Sequence, residues 1–189
     1  MKFEATPLQG VYLLKPRVFG DSRGFFLESW NAQIFRDAGF DLEFVQDNQS
    51  RSARGILRGM HYQTTQPQGK LVRVTAGEVF DVVVDLRRSS PTLGQWYGAT
   101  LSAENHSMLW IPPGFAHGFY VTSDYADFQY KCTDFYHPDS EVCLAWNDPA
   151  VGIEWPVPEG EQPLLSDKDS SGLKWDDLPL FDELRPMGL

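Results

Sequence analysis

Cations, histidines, cysteines and long apolar runs are all scarce in this chain, and each scarcity excludes something. Sixteen Lys and Arg stand against 26 Asp and Glu, which leaves a net charge of −10. A field of that sign repels nucleic acid and anionic membranes, so neither is expected as a partner. No apolar run approaches the roughly 20 residues that cross a bilayer. The N-terminal segment MKFEATPLQG lacks the apolar stretch of a signal peptide. A cytoplasmic location is the resulting expectation. The two cysteines, Cys132 and Cys143, are too few and too widely spaced for a structural zinc site. They are expected as free thiols facing each other across a hairpin that turns at His137-Pro138-Asp139-Ser140.

What is present is an ordinary globular balance, 42% hydrophobic and 22% charged, with aromatics at 14% and 13 prolines. The length suits a single domain, residues 1–189, with an extended tail from about Asp148, where Pro149, Pro156, Pro158 and Pro163 follow one another. Strand signals dominate before that. Short runs recur at Val11–Leu14, Arg17–Phe19, Arg23–Glu28, Phe44–Ser50, Ile56–Gln63, Leu71–Thr75, Val79–Leu86, Gly94–Leu101, Ser107–Ile111, His117–Val121, Asp127–Phe135 and Glu141–Trp146. Turn residues separate them. The spacing predicts an all-β fold, an antiparallel double-sheet roll or barrel rather than βαβ units. Asn31 is placed to cap a helix over Ala32–Ala38 that Gly39 ends. A second short helical stretch opens at Ser166–Asp169 and runs towards Lys174–Leu178. The acidic Trp175-Asp176-Asp177 is expected on a solvated face.

The richest stretch is Gly55–Lys70, GILRGMHYQTTQPQGK. It sets Arg58, His61 and Lys70 among apolar residues and reads as a strand crossing a pocket floor. On a regular strand Arg58 and His61 point to opposite faces, so a bulge at Gly59 is expected to bring both into one pocket. An imidazole beside two cations does better as a base with a carboxylate to hold its tautomer and stabilise the imidazolium. No acid adjoins His61, so the carboxylate must come from a distant segment, and Ser166-Asp167-Lys168-Asp169, after an extended tail, is a candidate. His117 heads a strand after the rigid Pro112-Pro113-Gly114 turn. Phe128, Tyr130 and Cys132 alternate towards one face, and Tyr130 offers an acid if that face is the interior. His106 and His137 sit in turn-like settings and read as surface residues. Two histidines beside two cations make a poor divalent site, so no catalytic metal is expected.

With these residues in place, the chain resembles the dTDP-4-dehydrorhamnose 3,5-epimerases. The resemblance runs from about Leu8 to Asp169. Its markers are Arg23-Gly24-Phe25 with Glu28, Gln46 and Asn48, Ile56–His61, Gln68–Arg73, Asp81–Arg87, Ile111–Phe119, Tyr130, Trp155-Pro156 and Leu165–Asp169. Met60 stands where the family usually has leucine, a swap that conserves volume.

The resemblance implies a metal-free cupin-type jelly roll, homodimeric and cofactor-free, acting on a dTDP-4-keto-6-deoxyglucose-type sugar nucleotide at C3 and C5. It implies His61 as base, Asp169 as its carboxylate, Lys70 as enolate stabiliser and Tyr130 as acid. Arg58 and His117 resemble pocket residues. Gln46, Asn48, Glu141 and Lys168 resemble diphosphate-nucleoside contacts, and Arg23, Phe25 and Glu28 resemble residues that reach a neighbouring subunit's site. Three other readings stay open at this point: an epimerase acting at C3 alone, a metal-dependent cupin oxygenase, and a non-catalytic sugar-nucleotide binding module.

Overall fold

A computed structural model describes residues 1–182 and 184. Thirteen strands and two short α-helices are assigned among them. The strands are β1 (Lys2–Ala5), β2 (Tyr12–Lys15), β3 (Val18–Asp21), β4 (Gly24–Leu27), β5 (Gln46–Ala53), β6 (Leu57–Gln63), β7 (Lys70–Ala76), β8 (Glu78–Asp85), β9 (Trp96–Ser102), β10 (Met108–Ile111), β11 (Phe115–Val121), β12 (Tyr125–Cys132) and β13 (Glu141–Cys143). The helices are α1 (Ala32–Asp37) and α2 (Asp167–Ser170). One sheet has the order β1-β2-β10-β7-β12-β5, the other β13-β6-β11-β8-β9, and β3-β4 stands apart as a hairpin. All strand pairs within them are antiparallel, as the sequence predicts for a cupin-type roll.

The core lies between the two large sheets. Val72, Val74, Leu109, Ile111 and Phe128 of one sheet meet Val83, Leu101, Phe119 and Val121 of the other. The outer faces are covered too, which is why β8 and β11 read as almost unbroken apolar runs. Met60, Tyr62, Val82 and Val84 pack under tail residues that include Ile153, Trp155, Leu178 and Phe181. On the other side Leu14, Leu71, Met108 and Trp110 pack under Phe35 and Phe40. The Asn31 side chain accepts from the Gln33 and Ile34 N–H groups and starts α1. Phe35, fully buried, anchors that helix with about 1.5–3 kcal/mol of apolar burial.

Several expectations need correction. Gly55–Lys70 is not one strand: β6 and β7 belong to different sheets. The loop between them carries Lys70 to the wall opposite His61. Cys132 and Cys143 are free thiols but do not face each other across a hairpin, because β12 and β13 also lie in different sheets. An edge strand, β1, precedes those expected; four residues are too short to show a period, and Lys2, Glu4 and Lys15 dress that edge with charge. Trp175 is not solvated with its acidic neighbours. Its ring packs in the tail cluster and covers Gly94.

Candidate active site

The bulge in β6 organises the site. Its neighbour β11 pairs His117 with His61 and Phe119 with Arg58, so three steps on β6 match two on β11. Gly59 absorbs the extra residue at φ +129°, where a side chain is strained. A Cβ there would stand 2.5 Å from Gly118 Cα and 2.9 Å from the His117 carbonyl oxygen. The sequence therefore needs glycine for conformation and for space. The result is the expected one, with Arg58 and His61 lining one cavity.

That cavity, about 430 Å³, opens between the sheets. From the five-stranded sheet come Arg58, His61, His117, Phe119 and Glu141. From the six-stranded sheet come Gln46, Asn48, Ser50, Lys70, Phe128 and Tyr130, and the C-terminal segment adds Ser166, Lys168 and Asp169. Ten of the thirteen catalytic and binding residues expected from the sequence are thereby brought together. Arg23, Phe25 and Glu28 are not. Arg23 pairs with Asp21, Phe25 packs against His106 at a tilt with ring centroids 4.6 Å apart, and Glu28 accepts from Asn31 at 2.9 Å.

His61 Nε2 lies 2.7 Å from Asp169 Oδ1. The approach is oblique to the ring nitrogen, so the contact is close but lacks the alignment of a full hydrogen bond. Ser166 caps α2 by accepting from the Asp169 N–H, and its hydroxyl donates to Asp169 Oδ2 at 2.7 Å. The Gly59 N–H donates to Asp169 Oδ1 at 3.2 Å. Burial alone would raise the Asp169 carboxyl. The His61, Ser166 and Gly59 contacts outweigh it and bring the carboxyl down to about 2. A carboxylate this close to Nε2 favours the ring proton on that side and the lone pair on Nδ1.

The opposite wall is built for a different task. Burial raises the Tyr130 phenol, with Cys132 and Glu141 adding to it, so the phenol stays protonated and able to donate. Burial lowers the Lys70 ammonium, although Cys132, Glu141 and Asp81 pull the other way. An anion forming near Lys70 would meet a cation that has little water around it. At the rim Glu141 accepts from the Tyr136 hydroxyl at 2.7 Å and pairs with Lys168 at 2.6 Å. Arg58 donates to Ser52 at 2.9 Å, which aims its fork.

Sequence reasoning missed Asp81. It is fully buried and meets His117 Nε2 at 2.9 Å, an orienting carboxylate for the second pocket histidine. The signal was available: an acid inside the apolar run Val79–Val84 must have a buried partner. Cys143 was also missed as a neighbour of the dyad. Its sulfur, His61 and Asp169 are the one group of three potential ion ligands found among the described residues, with donor atoms within 4.8 Å of one another.

A larger depression of about 520 Å³ lies on the outer side of the six-stranded sheet. Its polar groups satisfy one another, Lys131 with Asp47 at 2.8 Å and Arg73 with Gln129 at 2.9 Å. It assembles no base with an opposing acid, so the chemistry belongs to the smaller cavity.

The family model described as dTDP-4-dehydrorhamnose 3,5-epimerase matches residues 5–177. The chain belongs to that family. Membership makes it an isomerase on a cupin-type roll. It is 58% identical to the dTDP-4-dehydrorhamnose 3,5-epimerase of Pseudomonas aeruginosa over 96% of this chain and 99% of that protein. The crystal structure of an epimerase from Legionella pneumophila in complex with dTDP-4-keto-L-rhamnose superposes with a TM-score of 0.93, at 49% identity, covering 97% of this chain and 99% of that one. A 3'-monoepimerase from Streptomyces bikiniensis in complex with dTDP-quinovose gives 0.83 at 34% identity, covering 89% and 85%.

Proposed function

We propose that this chain inverts C3 and C5 of a dTDP-4-keto-6-deoxyhexose, without a cofactor. Protons beside a ketone are weakly acidic, so the enzyme must supply a base and stabilise the enolate. His61, held by Asp169, takes the proton. Lys70 meets the charge that develops on the ketone oxygen. Tyr130 returns a proton from the other face. The observation that carries this reading is the arrangement of base and acid on opposite sheets across one cavity.

An anionic diphosphate has to be held in an acidic protein, and Arg58, Lys70 and Lys168 gather cations locally for it. Gln46, Asn48 and Glu141 border the same cavity and serve the nucleoside end. A homodimer accounts for the β3–β4 hairpin. Phe25 and Phe26 are 63% and 66% exposed there, more than a monomer usually leaves clustered. In the dimer Arg23, Phe25 and Glu28 reach the partner's cavity. Among the described residues no helix is long and apolar enough to cross a membrane, and we place the chain in the cytoplasm.

The test is incubation with dTDP-4-keto-6-deoxyglucose, with His61→Ala alongside. The expected result is turnover by the parent chain, none by the variant, and similar nucleotide affinity in both. Affinity without turnover in the parent chain would favour a binding module. The similarity to a 3'-monoepimerase keeps one second reading, inversion at C3 alone, which solvent labelling separates.

A further inference from the structure

We propose that His61, Cys143 and Asp169 form an inhibitory site for a soft divalent cation of the zinc type. The register of β13 on β6 sets Cys143 directly opposite His61, so the two side chains share a face. The capped turn of α2 brings the Asp169 carboxylate to the same point. All three donor atoms lie within 4.8 Å of one another. Ligands of one zinc ion at about 2.0–2.3 Å stand about 3.4–3.8 Å apart in a tetrahedron. The 2.7 Å gap between His61 and Asp169 therefore opens by less than about 1 Å. Sulfur, imidazole nitrogen and carboxylate oxygen are zinc's own ligand types, and three of them leave a fourth position for water.

Two further features favour a cation. His61 Nε2 is enclosed and lacks an aligned hydrogen-bond partner, so its lone pair is available once the ring proton moves to Nδ1. The Cys143 thiol's own donated contacts are long, 3.5 Å to the Gly59 carbonyl and 3.6 Å to that of Leu144. Burial first, and then Asp169, push its thiol up to about 11. A divalent ion reverses both causes: the S–H bond breaks, the proton goes to solvent, and a metal–thiolate bond forms. The thiolate and carboxylate together neutralise the ion's two charges.

Occupancy removes the base, so the ion and the reaction exclude each other. Metal binding stands independently of the proposed reaction; only the inhibition rests on it. The experiment therefore begins without substrate. Purified chain is dialysed against zinc chloride or cobalt(II) chloride, and bound metal is counted. About one ion per chain is expected, with a thiolate-to-cobalt charge-transfer band. Cys143→Ser is expected to lose the band, and Cys132→Ser to keep it. Loss of an outer partner of a metal site already costs about 10–100-fold in affinity, so Cys143→Ser is expected to lose at least that much. In the turnover assay zinc inhibits the parent chain, a chelator restores it, and Cys143→Ser retains basal activity while resisting zinc. Failure to bind an ion, or equal binding and an unchanged band in Cys143→Ser, overturns the site. Stoichiometric binding that leaves turnover intact overturns the inhibition alone.

Discussion

Asp169 Oδ1 stands 2.7 Å from Nε2 of His61 and accepts the Gly59 N–H from the same bulge that aims the ring. One carboxylate oxygen thus joins the proposed base to the backbone that positions it. Replacing Asp169 by Asn keeps the shape and removes the charge. The expected outcome is a fall in kcat of about 10²–10⁴-fold with KM little changed. Steady-state kinetics on the folded variant check it.

The same carboxyl makes a stability prediction with a definite sign. Its folded value, about 2, lies below the ordinary aspartate value. Its contribution is then complete above about pH 4 and is lost as pH falls towards 2. On the order of 2 kcal/mol is at stake. Urea denaturation of the parent chain and Asp169→Asn across that window is expected to show the stability gap closing as the pH drops.

Gly59→Ala tests the bulge. The added Cβ meets backbone atoms at 2.5 and 2.9 Å, and φ is +129°. Neither contact can be relieved by turning a side chain. A destabilisation on the order of 2–4 kcal/mol is expected from strain and overpacking together. Thermal unfolding reads it directly.

Much of this site was legible because its residue types conflict with their setting. Arg58 and His61 beside Leu57 and Met60 announced a pocket. Gly59 between them announced the bulge, since only an added residue brings both side chains to one side. A carboxylate from a distant segment could be expected because an isolated imidazole among cations is a poor base, and the family resemblance singled out Asp169. The strand series and its antiparallel pairing were equally readable from turns and apolar runs. What remained hidden depends on register between distant segments. Nothing local assigns β6 and β7 to opposite sheets or sets Cys143 against His61. Asp81 is the exception: it broke the apolar pattern of β8 and should have prompted a search for His117.

The β3–β4 hairpin supports a prediction on binding rather than chemistry. Arg23 is exposed, and among the described residues it pairs with Asp21 alone. If it serves the partner's cavity, Arg23→Ala raises KM by about tenfold or more, the size of one charge-assisted hydrogen bond, and leaves kcat near its parent value. Sedimentation is expected to show a dimer for both proteins.

The central claim is that His61 and Tyr130 act on opposite faces of one enolate. Turnover of dTDP-4-keto-6-deoxyglucose in deuterated water, followed by position-resolved NMR, tests it most directly. The parent chain is expected to deliver deuterium to both C3 and C5 with inversion. Tyr130→Phe retains the base and loses the acid, and is expected to exchange those protons while inverting few of them. Inverted product free of solvent deuterium, or full inversion by Tyr130→Phe, would contradict the account.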